Sequence, residues 1–586
     1  MPTPPARILV LAAALVLVAA GVVSVRTLQG TTAPAELFNR VLLSSDELFP
    51  ETLYADFRSG AYDVRAFQFS AATFAFPDLV TYAGVRATAG SAPRAVLLWA
   101  AAFYLLLVGA AVLGARAVVP AGCRPAATAL VLALAAGYLG MNGLVGFERR
   151  ELGEFFLPLY HAGGVAAVFV GLVLTAGMCT RPGGWRSWRV PALFALSAAA
   201  TFSDRLFAVW LPAPLFAAAV LTRLLRGPGR RPEVGPVPGL MVALLVIGLG
   251  AVAGLAGLKW LQAEGDPLKN YWTGAMLAAA GRRAGQLAAV VWKEAAGGNP
   301  VLLATLAWLG LSAATLAARA WANRRGGAEP DSPVGNGRFV FLAAFTLAAT
   351  ALNVAVLCVS KTAELLDTHP WEESSRYLLA PQVLGWFGWA AWAAHFAGGG
   401  YPRIVRVAAG WVPVAAAAGV LVVAAGRAAP PVRDVLDAYP ADVAAIDRAC
   451  AERGLKYGLA DYGTAKRTTV LSRTGLVIRQ VIGPDDQNHL HGFPWLSNAQ
   501  WYWRNPDGSD ARFEFVVTHD DTHHPWLLAT DRVIRMAGPP ADRVRVGGAT
   551  LLVYNRPADG VVRDFGHENP GVRLLRDRYD RPPAGR

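Results

Sequence analysis

The chain of 586 residues is 54% hydrophobic and only 16% charged, too apolar for a water-soluble protein of several domains. Its net charge of +13 would point to nucleic acid in a soluble protein. Here the arginines fall in short loops between apolar runs, with no basic stripe interleaved with aromatics, so membrane topology accounts for them better. Of the four cysteines, Cys123, Cys179 and Cys358 lie in or beside apolar runs and only Cys450 does not, which excludes a disulfide framework; no CxxC or zinc spacing occurs.

The first apolar run, Ile8 to Val23, follows a single Arg7 and reads either as a signal-peptide core or as a retained membrane helix. A retained helix makes the charge parity of every later loop consistent. Crossing the hydrocarbon takes about 20 apolar residues. Ten further runs approach that length: Ala95 to Ala115, Ala127 to Gly146, Leu159 to Cys179, Val190 to Phe202, Leu206 to Thr222, Leu240 to Leu258, Val301 to Ala320, Phe339 to Cys358, Tyr377 to Phe396 and Val407 to Ala425. The expected fold class is therefore a polytopic α-helical membrane protein of about 11 transmembrane helices. Arg116 and Arg124, then Arg181, Arg186 and Arg189, then Arg223, Arg226, Arg230 and Arg231, then Arg324, Arg325 and Arg338, then Arg403 and Arg406 all fall in alternate loops. By the positive-inside rule those loops are cytoplasmic. The N-terminus is then inside, and the long tail after the last helix is extracytoplasmic, as on a bacterial inner membrane.

Two outer segments exceed what a connection requires: residues 26–93, the first loop, and residues 259–298, where Arg282 and Arg283 among small apolar residues read either as a helix lying on the membrane plane or as an ordinary solvated loop. The transmembrane part is expected over residues 1–426 and a soluble α/β domain over 427–586. Pro430-Pro431 marks the linker, and alternating patterns replace long runs beyond it. Val432 to Arg453 reads as a helix; Thr469 to Leu471, Leu476 to Val481, Arg512 to Thr518, Arg532 to Met536 and Thr550 to Tyr554 read as strands. No internal or inverted repeat of the kind found in secondary transporters is present.

The chemistry centres on Ser44-Ser45-Asp46-Glu47-Leu48-Phe49 in the first loop. Glycosyl transfer to an oxygen or nitrogen nucleophile needs a carboxylate to accept a proton where a lipid-linked donor meets its acceptor. Glu51, Asp56, Asp63 and Asp78 offer further carboxylates; Asp78 follows Phe74-Ala75-Phe76-Pro77. Taken singly, each is equally a helix cap or a solvated charge. One helix, a long outer loop with an adjacent Asp-Glu pair, many helices, a late outer loop with an arginine and a soluble outer tail together resemble the GT-C superfamily of polyprenyl-phosphate-sugar-dependent glycosyltransferases. The likeness is to the branch of protein O-mannosyltransferases and aminoarabinose transferases. The resemblance implies that Asp46 is the catalytic base and Glu47 a supporting position. It also implies a polyprenyl-phosphate-linked sugar donor, and an envelope glycan, lipid or protein as acceptor. Some members use a divalent metal and others none, and Asp46-Glu47 suits either mode.

The late loop carries Lys361, Glu364, Asp367, His369, Trp371, Glu372 and Glu373 before Ser374-Ser375-Arg376-Tyr377-Leu378-Leu379-Ala380-Pro381. This resembles the Arg-Tyr-Leu-Leu-x-Pro run that leads into a late helix in many members of that superfamily. An arginine there can hold a lipid phosphate with forked hydrogen bonds, or simply anchor the helix at the headgroups. Arg376, with Tyr377, Lys361 and Arg205, forms the expected donor side. Asp78, Asp204, Glu154 and His161 form the expected acceptor side. Asp204-Arg205 sits between two short apolar runs, as a functional pair or as a mutually neutralised structural one. His161 begins a helix after Glu148, Glu151 and Glu154, a position more often structural than functional.

In the tail, His489-Leu490-His491 and His519-Asp520-Asp521-Thr522-His523-His524 match no defined metal spacing and read as solvated turns. Trp495, Trp501, Tyr502 and Trp503 are either sugar-stacking platforms or core. Asp461-Tyr462-Gly463 is similar to part of the Trp-Trp-Asp-Tyr-Gly motif of oligosaccharyltransferases. Leu459-Ala460 replaces the tryptophans, and the match is set aside as chance. The expected activity is inverting transfer of a sugar at the outer face; the alternative is a transporter or flippase of lipid-linked glycans.

Overall fold

In hydrocarbon every backbone N–H and C=O must find a partner within its own segment, so long apolar runs fold as helices. A computed structural model describes residues 4–30, 46–69, 72–145, 161–180, 186–225, 237–261, 274–325, 337–359, 378–398, 401–426, 439–483, 489–520, 527–556 and 560–579. Among these, nine helices are long and apolar enough to cross a membrane. They coincide with nine of the expected runs, from Ala6–Val23 to Arg403–Ala425. The two remaining runs are also helical: Arg189–Ser203, which at 15 residues is short for a crossing, and Leu379–Gly398, which carries three tryptophans, a glutamine and a histidine among its apolar residues. Residues 274–296, around Arg282 and Arg283, form one helix, in which Arg283 is buried and Arg282 exposed.

The chain divides into two compact units: Met1–Thr32, Ala71–Val80 and Ala100–Pro430 make the first, and Ala33–Ser70, Thr81–Trp99 and Pro431–Arg586 the second. Most of the first loop thus groups with the tail rather than with the helices that flank it in sequence. In the first unit, buried Phe169, Phe207, Trp210, Phe345 and Phe387 pack with many alanines in one apolar cluster.

The second unit is an α/β domain, as its alternating pattern predicts. Its strands are β1 (Phe67–Gln68), β2 (Tyr457–Ala460), β3 (Val477–Ile482), β4 (His491–Gly492), β5 (Ser497–Asn498), β6 (Phe515–His519), β7 (Asp542–Val546) and β8 (Ala549–Val553). Six form a sheet in the order β4-β3-β2-β6-β8-β7, in which β2 runs parallel to both β3 and β6. Side chains alternate across it, as a period of two requires. Phe515, Val517 and Leu551 pack with Ile446, Cys450 and Ala465 on one face, while Val516 and Leu552 pack with Tyr502, Val533 and Phe565 on the other. Gly458 in β2 has to be glycine: a Cβ there would lie 2.2 Å from the Phe515 ring.

Two expected strands are helical. Thr469–Leu471 closes the helix Tyr462–Leu471, whose cap at Asp461 outweighs the β-branched residues of its last turn. Arg532–Met536 lies in the helix Thr530–Ala537, which buries Thr530 and Val533, three apart on one face. Five strands escaped the reading: β1, β4 and β5, which are two residues long, β2, which Gly458 interrupts, and β7, whose alternating Arg543-Val544-Arg545-Val546 was passed over. The expected helix over 432–453 is observed over Ala441–Ala451, with residues 431–438 outside the described set.

Candidate functional site

Each unit gathers ionisable residues. In the second unit, Asp46 begins a turn that leads into the helix Phe49–Ser59, whose first turn contains Pro50 and Glu51. Asp46 is half-buried, Glu47 fully buried. Among the described residues, the hydrogen bond to the Asp46 carboxylate comes from the Tyr462 hydroxyl and engages Oδ1. Tyr462 opens the helix after β2, and Asp461 caps that helix by accepting from the Thr464 N–H at 3.0 Å. Four residues along, on the same helical face as Tyr462, Lys466 is 2% exposed and holds its Nζ 4.8 Å from the centre of the Tyr462 ring. Burial pulls the Lys466 pKa down to about 7, with the charge of Asp46 opposing the fall.

These residues occupy a favoured place in the sheet. The connection from β2 goes to β3 on one side, and β6 lies parallel on the other. In open α/β sheets ligands bind beyond the carboxyl ends of strands where the connections part to opposite sides. Asp461 follows the carboxyl end of β2, and His519 ends β6. The His519 Nε2 lies 3.1 Å from Asp461 Oδ2 and 3.1 Å from Thr464 Oγ1. Burial disfavours charging His519, but the hydrogen bond and charge of Asp461, with Asp442 and Asp520, outweigh it and raise its pKa.

Three other first-loop carboxylates, Glu51, Asp56 and Asp63, are committed to the structure of this unit. Glu51 takes two hydrogen bonds from Arg86, at 2.7 and 3.0 Å, and one from the Tyr82 hydroxyl. Asp56 accepts from Trp501 Nε1 at 2.9 and 3.0 Å, and burial pushes its pKa up to about 7 against the nearby Arg479 charge. The Asp63 carboxylate accepts from the Arg65 N–H at 2.9 Å, its own N–H donates to Gln500 Oε1 at 2.7 Å, and β1 pairs antiparallel with β5. Trp501, Tyr502 and Trp503 are core, leaving Trp495, 43% exposed, as the one platform candidate among the four.

In the first unit, the helix Ala162–Thr180 starts against two buried carboxylates. A Cβ on Gly163 would lie 2.2 Å from Asp78 Oδ2, so the helix can approach Asp78 only with glycine there. Asp204 Oδ2 lies 2.7 Å from His161 Nδ1, and its Oδ1 accepts from the Leu206 N–H at 2.9 Å. Both carboxylates thus meet the positive end of a helix dipole. Phe74 and Trp210 flank the His161 ring at 5.8 and 5.9 Å between centroids. The sequence placed Asp78, His161 and Asp204 together, and the fold brings all three to this helix start; Arg205 follows at the next helix and is half-buried.

Arg376, Tyr377, Lys361 and Glu154 lie outside the described residues. Tyr462, Lys466 and His519 are additions that sequence reasoning missed as site residues; the signal for the first was Asp461-Tyr462-Gly463, set aside for want of its tryptophans. His489 and His491 stack at 4.2 Å. Among the described residues no three of His, Cys, Asp and Glu gather as metal ligands would.

No family profile matches this chain, and no curated relative matches it. It is similar in structure to the Archaeoglobus fulgidus oligosaccharyltransferase, solved in complex with zinc and sulfate, at 13% identity over 86% of this chain and 67% of that one, with a TM-score of 0.26, too slight a likeness to assign any residue.

Proposed function

We propose that this membrane protein is an inverting glycosyltransferase that moves a sugar from a polyprenyl-phosphate carrier to an acceptor at the extracytoplasmic face, with Asp46 as general base. The observation that carries the reading is the state of Asp46. It is half-buried, fixed through one oxygen by Tyr462, and set beside the carboxyl end of β2. A base must be oriented yet keep an oxygen for the incoming proton. Glu51 and Asp56, in the same loop, are consumed by Arg86, Tyr82 and Trp501 and fail that requirement.

In this reading the acceptor hydroxyl or amine hydrogen-bonds Asp46 Oδ2 and attacks the anomeric carbon. Its proton passes to Asp46 as the bond to the lipid phosphate breaks. Glu47 supports the turn, and Arg376, with Tyr377, Lys361 or Arg205, neutralises the departing phosphate. Asp78 and His161, with Glu154, are proposed on the acceptor side, and Asp204 holds the His161 ring in place.

The test is transfer of a radiolabelled sugar from polyprenyl phosphate by the purified full chain in lipid. Asp46→Asn removes the basic oxygen while keeping the shape, and is expected to lower the rate by about 10²–10⁴-fold. Wild-type transfer by that variant sinks the base assignment. Movement of the lipid-linked sugar across the bilayer without transfer establishes the flippase instead.

A further inference from the structure

A buried ammonium normally has an anion or several acceptors around it, because leaving it alone costs several kcal/mol. Lys466 breaks that rule: it is 2% exposed, and among the described residues its Nζ has no hydrogen-bond partner. Asp46 is close enough to raise its pKa electrostatically, yet is bonded to Tyr462 instead. Lys466, in the helix that opens at Tyr462, thus rests its Nζ 4.8 Å from the centre of the Tyr462 ring and near the half-buried Asp46 carboxylate, with no hydrogen-bonding acceptor among the described residues.

We infer that Lys466 is an acceptor-side anion site: it receives a carboxylate or phosphate carried by the acceptor near the group to be glycosylated. The assignment to the acceptor rests on the reading of Asp46 as base. In an inverting displacement the nucleophile and the leaving phosphate lie on opposite faces of the anomeric carbon. Asp46 touches the nucleophile. A cation neighbouring Asp46 therefore faces the acceptor, and the leaving phosphate needs a different cation. Tyr462 and Lys466, one helical turn apart, then divide the work: the hydroxyl orients Asp46 and the ammonium selects an acidic acceptor. A neutral acceptor would leave the ammonium unpaired, and that penalty is a source of specificity.

The experiment follows binding, with no transfer required. The full chain in lipid nanodiscs is titrated with methyl glucuronide, glycerol phosphate, neutral methyl glucoside and farnesyl phosphate, and thermal stabilisation gives the apparent affinity. The wild type is expected to bind methyl glucuronide or glycerol phosphate and to ignore methyl glucoside. Lys466→Met is expected to weaken that binding about tenfold or more, the size of one charge-assisted contact, and Lys466→Arg to retain much of it. Lys466→Met keeps most of the side chain's length and removes a buried charge without a hydrogen-bond partner among the described residues, so it should melt no lower than the wild type. Asp46→Asn is expected to keep the Lys466-dependent binding while losing transfer. Whichever of the two anions responds identifies the acidic group. Equal binding by wild type and Lys466→Met, or no anion binding by the wild type, overturns the site. An effect of Lys466→Met confined to farnesyl phosphate overturns its acceptor assignment. Full transfer by Asp46→Asn overturns the base, and leaves anion binding at Lys466 to stand or fall by its own measurement.

Discussion

Two aspartates, one in each unit, are held in opposite ways. Asp204 is 3% exposed, and its two oxygens meet His161 and the Leu206 N–H. Asp46 is half-buried, is held through Oδ1 by a tyrosine, and neighbours a lysine with an unpartnered ammonium among the described residues. Both are flagged by sequence as ionisable residues in a membrane protein. The difference teaches that burial alone does not mark a reactive group: a carboxylate with both oxygens engaged is suited to holding structure, and one with an oxygen left over among the described residues is suited to taking a proton.

The comparison breaks most visibly at Asp204. Asp204→Ala strands His161 Nδ1 and a backbone N–H, and is expected to cost about 3–5 kcal/mol, seen as a lower melting point of the detergent-solubilised chain. Unchanged melting would remove Asp204 from the structural class. A smaller effect separates Asp56 from Asp46 within one loop. The fold holds Asp56 protonated up to about 7, whereas its ordinary value is 3.8. The folded state therefore binds more protons than the unfolded one between those values, so stability falls as pH rises through that window and levels off above it. Asp56→Asn keeps an acceptor for Trp501 and removes the titration. Relative to the wild type it should gain about 2–4 kcal/mol between pH 4 and pH 8. Parallel melting curves across that range would refute burial as the cause. The smallest effect is at Tyr462. Tyr462→Phe removes one hydrogen bond to Asp46 and is expected to slow sugar transfer about tenfold, near 1.4 kcal/mol, while leaving the melting point in place. A rate equal to the wild type would mean that Asp46 needs no orientation from the tail.

The membrane helices were legible because each is a contiguous run: hydrophobicity, length and the arginines between runs all lie within a few dozen residues. The strands with regular alternation, β3, β6 and β8, were legible for the same reason. β2 was not, since its Gly458 is explained only by the Phe515 ring on the neighbouring strand. Helix against strand at Thr469–Leu471 turned on a cap eight residues earlier, at Asp461. Of the site, Asp46, Glu47, Asp78, His161 and Asp204 were legible as residue types in suggestive places. Their partners were not.

What the sequence by itself determined was class and candidates: a many-helix membrane protein, a charged tail of mixed α/β structure, and a short set of carboxylates. Those properties are local or compositional. Only the tertiary structure decided which carboxylate keeps an oxygen without a partner among the described residues. That depends on hydrogen bonds between residues 416 positions apart, such as Tyr462 to Asp46, or 445 apart, such as Trp501 to Asp56. Likewise, Lys466 is an ordinary lysine in the sequence; its burial near Asp46, with no hydrogen-bond partner among the described residues, is what sets it apart.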